Sequence, residues 1–178
     1  MRITRIEEFL LSDQQQKEIH QLLLQCFSEY PMDQSYYKQL PSFRLLAQAA
    51  TEDTIIGHLA LEHRLIEQNG KVSRIFGVGD LCVSPKHQSK NVASSLLQHL
   101  EKLARQAQID FIVLISNEHE FYKKNGFQLV NNTCRWLLIN NHQTIGVAQR
   151  RLENCLMVKA LQKQEWGTET VDFLGHMF

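Results

Sequence analysis

The residues best placed to do chemistry lie between Gly79 and Leu97. Gly79-Asp80-Leu81-Cys82-Val83 reads as the end of a strand. Ser84-Pro85-Lys86-His87-Gln88-Ser89-Lys90-Asn91 reads as a tight polar loop, and Val92-Ala93-Ser94-Ser95-Leu96-Leu97 opens an amphipathic helix. A helix start presents free backbone N–H groups with the helix dipole behind them, which suits an anion such as a diphosphate. From Val83 to His99 there are two lysines, Lys86 and Lys90, and no acidic residue, so the local field favours phosphate as well. The plainer reading is a crossover loop with two exposed lysines.

Asp80, on the strand before the loop, could serve as a general base or hold an amine, and strand alternation puts it on the face of Cys82. Glu62 and His63 on the neighbouring strand are the other candidates, and each of the three also reads as a satisfied polar residue at a strand edge. Cys82 has no evident His/Asp pair to activate it and reads as a lining residue. Tyr122, beside Phe121, is either a packing aromatic or a phenol that stays protonated at neutral pH, its ordinary pKa being about 10. His119 begins a short helix and reads as a surface cap. The four cysteines (Cys26, Cys82, Cys134, Cys155) form no C-x-x-C pair and read as reduced thiols. Clustered Cys and His are missing, and His58 and His63 point to opposite faces of one strand, so no zinc site is expected.

These residues need elements to hold them. Ser12 can cap a helix to Phe27, in which Ile19, Leu22, Leu23, Cys26 and Phe27 recur at spacings of three and four. Pro31 and Pro41 bracket an irregular stretch with Tyr36 and Tyr37. A short strand is expected over Phe43–Ala50 and a long one over Thr54–Glu67. Asn69-Gly70 turns that strand back as Val72–Val83, because both positions tolerate positive φ. After Pro85, Val92, Leu96, Leu97, Leu100, Leu103 and Ala104 share a helix face that runs to about Gln106. Phe111-Ile112-Val113-Leu114-Ile115 is a strand covered on both sides. A short helix from Glu118 to Lys124 stops at Asn125-Gly126. Trp136–Ile139 and Leu156–Leu161 are two late strands joined by a polar loop. The order predicts an α/β fold: a mixed sheet with helices packed on it.

The segment and its neighbours resemble the GNAT superfamily of acyl-CoA-dependent N-acyltransferases. That family's signature is a strand, V-x-P, then Gln/Arg-x-x-Gly-x-Gly/Ala opening a helix. Val83-Ser84-Pro85 matches it, Gln88 holds the Gln/Arg place, Asn91 stands where the inner glycine is usual, and Ala93 ends the motif. Phe121-Tyr122-Lys123-Lys124-Asn125-Gly126-Phe127 is similar to a second family landmark, an aromatic-Tyr pair before Gly-Phe. The resemblance implies one domain over 1–178 with splayed central strands, and acetyl-CoA as cosubstrate. Its diphosphate would rest on backbone N–H groups of Gln88, Ser89, Lys90, Asn91, Val92 and Ala93, with Ser94 adding a hydroxyl. Its pantetheine and thioester would lie along Leu81, Cys82 and Val83. It further implies direct attack by a primary amine in a ternary complex, with Asp80 near the thioester and Tyr122 protonating the leaving thiolate. Asparagine is the side chain that best tolerates left-handed backbone, so Asn91 is expected to be accepted in the loop. The rival from another class is a non-catalytic acyl-CoA-binding regulatory module.

The Gly57–Ile66 hairpin strand and a C-terminus with Trp166 and Asp172 are similar to the aminoglycoside 2'-N-acetyltransferase and nodulation acyltransferase branch. Residues 162–178 form a tail with Glu165, Glu169 and Asp172. After Lys163 it has no Lys or Arg. It reads as a frayed end, an extra strand, a homodimer contact, or a flap whose acids draw a cationic amine to the site. The whole chain of 178 residues balances 19 Lys+Arg against 19 Asp+Glu, which argues against a general nucleic-acid binder. It has no apolar run long enough to span a bilayer and no signal-peptide shape at Met1–Glu8, so a cytoplasmic protein without a membrane partner is expected.

Overall fold

The first helix is set by its own ends. Ser12 Oγ accepts from Gln15 N–H at 3.2 Å, and the Gln15 side chain accepts from Ser12 N–H at 3.0 Å, a reciprocal cap that satisfies two orphan donors. In the computed structural model, which describes residues 1–31, 33–50 and 54–178, the order is β1 (Arg2–Glu7), a 3₁₀ turn, α1 (Asp13–Cys26), β2 (Phe43–Gln48), β3 (Ile55–Gln68) and β4 (Lys71–Val83). A second 3₁₀ turn (Pro85–His87) leads to α2 (Val92–Gln106), β5 (Phe111–Ile115), α3 (His119–Lys124) and β6 (Gln128–Val130). Then come β7 (Thr133–Asn140), β8 (Gln143–Arg151), β9 (Leu156–Ala160) and β10 (Val171–His176). Asn69 and Gly70 turn the β3–β4 hairpin with φ of +52° and +77°, as their types predict.

The chain groups into two compact units, and β3, β4 and α2 run through both. The first unit is Met1–Leu61 with Gly79–Leu100. In it β1 pairs antiparallel with β2, and β2 with the first half of β3, in the register Arg44↔Ala60 and Leu46↔His58. Ile19, Leu22 and Leu23 of α1 pack with Tyr30, Leu46 and Cys82 as its core. A Cβ on Gly57 would stand 2.8 Å from Val92 Cγ1, so glycine lets the start of α2 lie against β3.

The second unit is Glu62–Val78 with Glu101–Phe178. Its strand order is β6-β9-β5-β4-β3-β10-β7-β8, mixed in direction. Phe111, Val113, Trp136, Val158, Val171 and Phe173 lie in its core. The parallel β4–β5 ladder runs from Ile75↔Phe111 to Val78↔Leu114 and goes no further.

One expectation is corrected here. The polar loop after β7 contains a strand, β8, which forms a hairpin with β7. β1 and β6 were not anticipated from the sequence. In the tail, β10 pairs antiparallel with β3 and parallel with β7, and Val171 and Phe173 are fully buried. Of the readings of that segment, the extra strand is the one observed, and Asp172 faces Arg135 at 3.6 Å. The ring of Phe178 fills the space where a Cβ on Gly77 would lie. Among the described residues no helix is long and apolar enough to cross a membrane.

Candidate active site

Asp80 does not obey strand alternation. Its φ is +53°, a left-handed conformation uncommon for a non-glycine residue in a strand. A buried polar chain within the first unit holds it. Glu8 pairs in a fork with Arg44, Oε2 to Nε at 2.5 Å and Oε1 to Nη2 at 2.8 Å. Arg44 Nη1 donates to His58 Nε2 at 2.9 Å, and His58 Nδ1 lies 3.1 Å from the Asp80 carbonyl oxygen. Arg44 and His58 are both fully buried. Their β2–β3 register makes them diagonal neighbours, since Arg44 is opposite Ala60 and His58 opposite Leu46. Burial first, then the facing Arg44 charge, pushes the His58 pKa well below its ordinary value, so the ring is neutral.

Held this way, the Asp80 side chain accepts a hydrogen bond from Tyr30 Oη at 2.7 Å. Burial raises the Asp80 pKa, and the Tyr30 bond and the Arg44 charge offset only part of that. Burial and the Asp80 charge in turn push the Tyr30 phenol up. Both residues line a cavity of about 410 Å³ with Cys26, Phe27, Glu29 and Tyr37. Cys26 Sγ lies 3.4 Å from the Val83 carbonyl, and a hydrogen bond with Cys82 brings its pKa down to about 7. The buried Cys82 thiol is raised by that same bond and by burial. Leu81, Cys82 and Val83 therefore complete a strand end with a carboxylate and two thiols around it.

The loop that follows fits an anion. Ser89 and Asn91 have φ of +61° and +60°, and alternating left-handed residues turn successive N–H groups toward one side. The first α2 bond runs from Ser95 N–H to the Asn91 carbonyl at 2.9 Å, so the N–H groups of Val92, Ala93 and Ser94 stand ahead of the helical ladder. Gln88 folds back to Val83 O at 3.4 Å, and Lys86 and Lys90 are exposed.

Tyr122 belongs to the second unit. It is buried, edge-on to Phe121 and Phe127 with ring centroids 5.0 Å and 5.5 Å away. Burial raises its pKa to about 12 against a hydrogen bond with Ser116. Lys159 anchors the following turn through the Asn125 carbonyl at 2.8 Å. Glu62 is committed elsewhere in that unit. Burial would push its carboxyl up, but hydrogen bonds from His176 and Arg64, at 3.0 Å and 2.7 Å, hold it below its ordinary value. His63 packs edge-on against Phe76, and His119 Nε2 meets the Asn154 carbonyl at 2.7 Å.

The residues that sequence reasoning missed are Glu8, Arg44, His58, Tyr30 and Cys26. Two of them carried a signal: Arg44 in Phe43–Ala47 and His58 in Ile55–Leu61 each interrupt an apolar run, which a buried strand tolerates only with partners.

Residues 44–129 match the family model described as Acetyltransferase (GNAT) domain. No curated protein matches the chain in sequence. Among solved structures, a GNAT family N-acetyltransferase (YhbS) from Escherichia coli in complex with CoA is 19% identical, with a TM-score of 0.56. That match covers 75% of this chain and 68% of the other. An aminoglycoside 6'-N-acetyltransferase complexed with coenzyme A is 16% identical over 93% of this chain and 99% of its own, TM-score 0.62. A probable N-acyltransferase from Enterococcus faecalis is 13% identical, TM-score 0.63, covering 73% of this chain and 33% of the other. The chain thus spans about a third of that larger protein. The likenesses to solved structures show the fold, that of the acyl-CoA-dependent N-acyltransferases, and residues 44–129 within it are similar to the GNAT acetyltransferase domain.

Proposed function

We propose that residues 1–178 work as one enzyme that moves an acetyl group from acetyl-CoA to a primary amine by direct attack in a ternary complex. The observation that carries this reading is Asp80: a carboxylate with a raised pKa, fixed by His58 and Tyr30, on a cavity beside the Cys82–Val83 strand end. A base with a pKa moved up toward neutrality takes the proton of an attacking ammonium more readily than an ordinary aspartate.

Acetyl-CoA supplies the thioester. The acid-free loop fits its diphosphate through the N–H groups of Gln88, Ser89, Lys90, Asn91, Val92 and Ala93, with the Ser94 hydroxyl beside them. Backbone N–H of Cys82 or Val83 would stabilise charge on the carbonyl oxygen as the amine nitrogen bonds to carbon, with Leu81 lining the pantetheine. Asp80 takes the amine proton, and the carbon–sulfur bond breaks. Tyr122, protonated across the neutral range, would be the acid that gives its proton to the departing sulfur.

The test is thiol release from acetyl-CoA against a panel of amines. Tyr122→Phe should lower kcat by about 10²-fold while leaving both KM values close to wild type. Coenzyme A binding by calorimetry with no thiol release from any amine would replace this reading with the binding module.

A further inference from the structure

We infer that the cavity of the first unit takes an amine with one ammonium group on an aromatic or branched apolar body, in preference to a polyamine or an amino sugar. The inference rests on reading that cavity as the acceptor site.

Three rings stand in series on its wall. Phe27 and Tyr30 have centroids 6.1 Å apart with planes 32° apart, and Tyr30 and Tyr37 have centroids 6.3 Å apart with planes 55° apart. The series runs from buried Tyr30 to Tyr37, which is 57% exposed, so the surface continues from inside to rim. Rings in such a row accept an apolar body or the face of another ring, and their negative faces accept a cation.

The charges set the number of ammonium groups. Among the described lining residues the acids are half-buried Asp80 and exposed Glu29, with no Lys, Arg or His. Asp80 is the carboxylate already fixed inside, by Tyr30, and one ammonium beside it is the one to be deprotonated. Lys38 places its ammonium 5.6 Å from the Tyr37 ring centroid, so a cation is already at the rim. A second or third charge on a polyamine would meet it.

The experiment compares 2-phenylethylamine, spermidine and kanamycin in two measurements, thiol release from acetyl-CoA and calorimetric binding to the protein saturated with coenzyme A. Phenylethylamine should be preferred in kcat/KM by about tenfold or more, and Tyr37→Ala should raise its KM by about fivefold to tenfold, with Tyr37→Phe close to wild type. Preference for spermidine or kanamycin, or an unchanged KM in Tyr37→Ala, overturns the inference while transfer stands. Phenylethylamine binding more tightly than the other two with no thiol released supports the inference and overturns transfer. No binding of phenylethylamine overturns the inference whatever the other amines do.

Discussion

Arg44 Nη1 donates to His58 Nε2 across 2.9 Å, and that one contact decides where the imidazole proton sits. A guanidinium only donates, so Nε2 must accept and Nδ1 must carry the hydrogen. His58 is then a donor to the Asp80 carbonyl and cannot be anything else. The left-handed backbone at Asp80 is held by a ring whose tautomer is fixed two strands away.

The first prediction follows from that neutral ring. Its folded pKa lies well below the ordinary 6.5, so the unfolded chain binds the proton first as pH falls. Stability from His58 is present above pH 6.5 and is lost as pH drops toward the folded pKa, by about 1.4 kcal/mol per pH unit. His58→Gln, which retains one donor and one acceptor, should remove that slope. His58→Leu should cost about 2–4 kcal/mol by leaving the Arg44 donor and Asp80 carbonyl unpaired. Urea unfolding between pH 7 and pH 5 measures both, and equal slopes in wild type and His58→Gln would contradict the assignment.

Asp80→Asn should separate stability from activity. A raised carboxyl pKa means the folded state prefers the protonated form. Its stabilisation is therefore full below the ordinary carboxylate range and is lost as pH rises through the folded pKa. An amide carries no charge to desolvate and can still accept from Tyr30. The variant should melt higher than wild type at pH 7, with the gain shrinking toward pH 3. Its kcat/KM should fall by about 10²-fold or more. A stable variant with full activity would remove Asp80 from the mechanism.

At Asn91 the φ of +60° makes a test of the diphosphate loop. Glycine adopts that geometry without cost, so Asn91→Gly should bind coenzyme A with equal or lower Kd. Asn91→Val, a branched side chain forced left-handed, should lose about 1–2 kcal/mol of stability. Calorimetric titration that finds binding only in the Asn91 form would sink this account of the loop.

Gly77 and Phe178 should show coupled effects. Alanine at Gly77 meets the Phe178 ring and should cost about 1–3 kcal/mol. In a Phe178→Ala background the same change should cost much less, giving a coupling energy of about 1 kcal/mol or more. Additive losses in a denaturant series would place the ring elsewhere.

The elements legible in the sequence are those whose reasons are local. Asn69-Gly70 turns because of its own dihedral preferences, and α1 begins at Ser12 because Gln15 is three residues on. β8 was not legible as a strand, and β10 only as one of several readings of the tail, because their pattern is not locally decisive. In β8 Ile145 and Val147 stay exposed, and β10 owes its place to partners more than thirty residues away. Asp80 was picked out as a candidate base, but by an alternation that its left-handed backbone breaks. The Arg44–His58 contact depends on the register between β2 and β3, which no single window of residues contains.

β10 has a further consequence, in time rather than in space. The ladder with β3 joins Val171 to Gln68, 103 residues apart in the chain. At about 5–20 residues per second the ribosome needs roughly 5–20 s to cover that distance. During that interval the second unit's β3 and β7 each wait with an unpaired edge for the strand that lies between them. The second unit's sheet can close only after Val171–His176 has left the exit tunnel, so nascent chains stalled short of that segment should be the ones that chaperones hold.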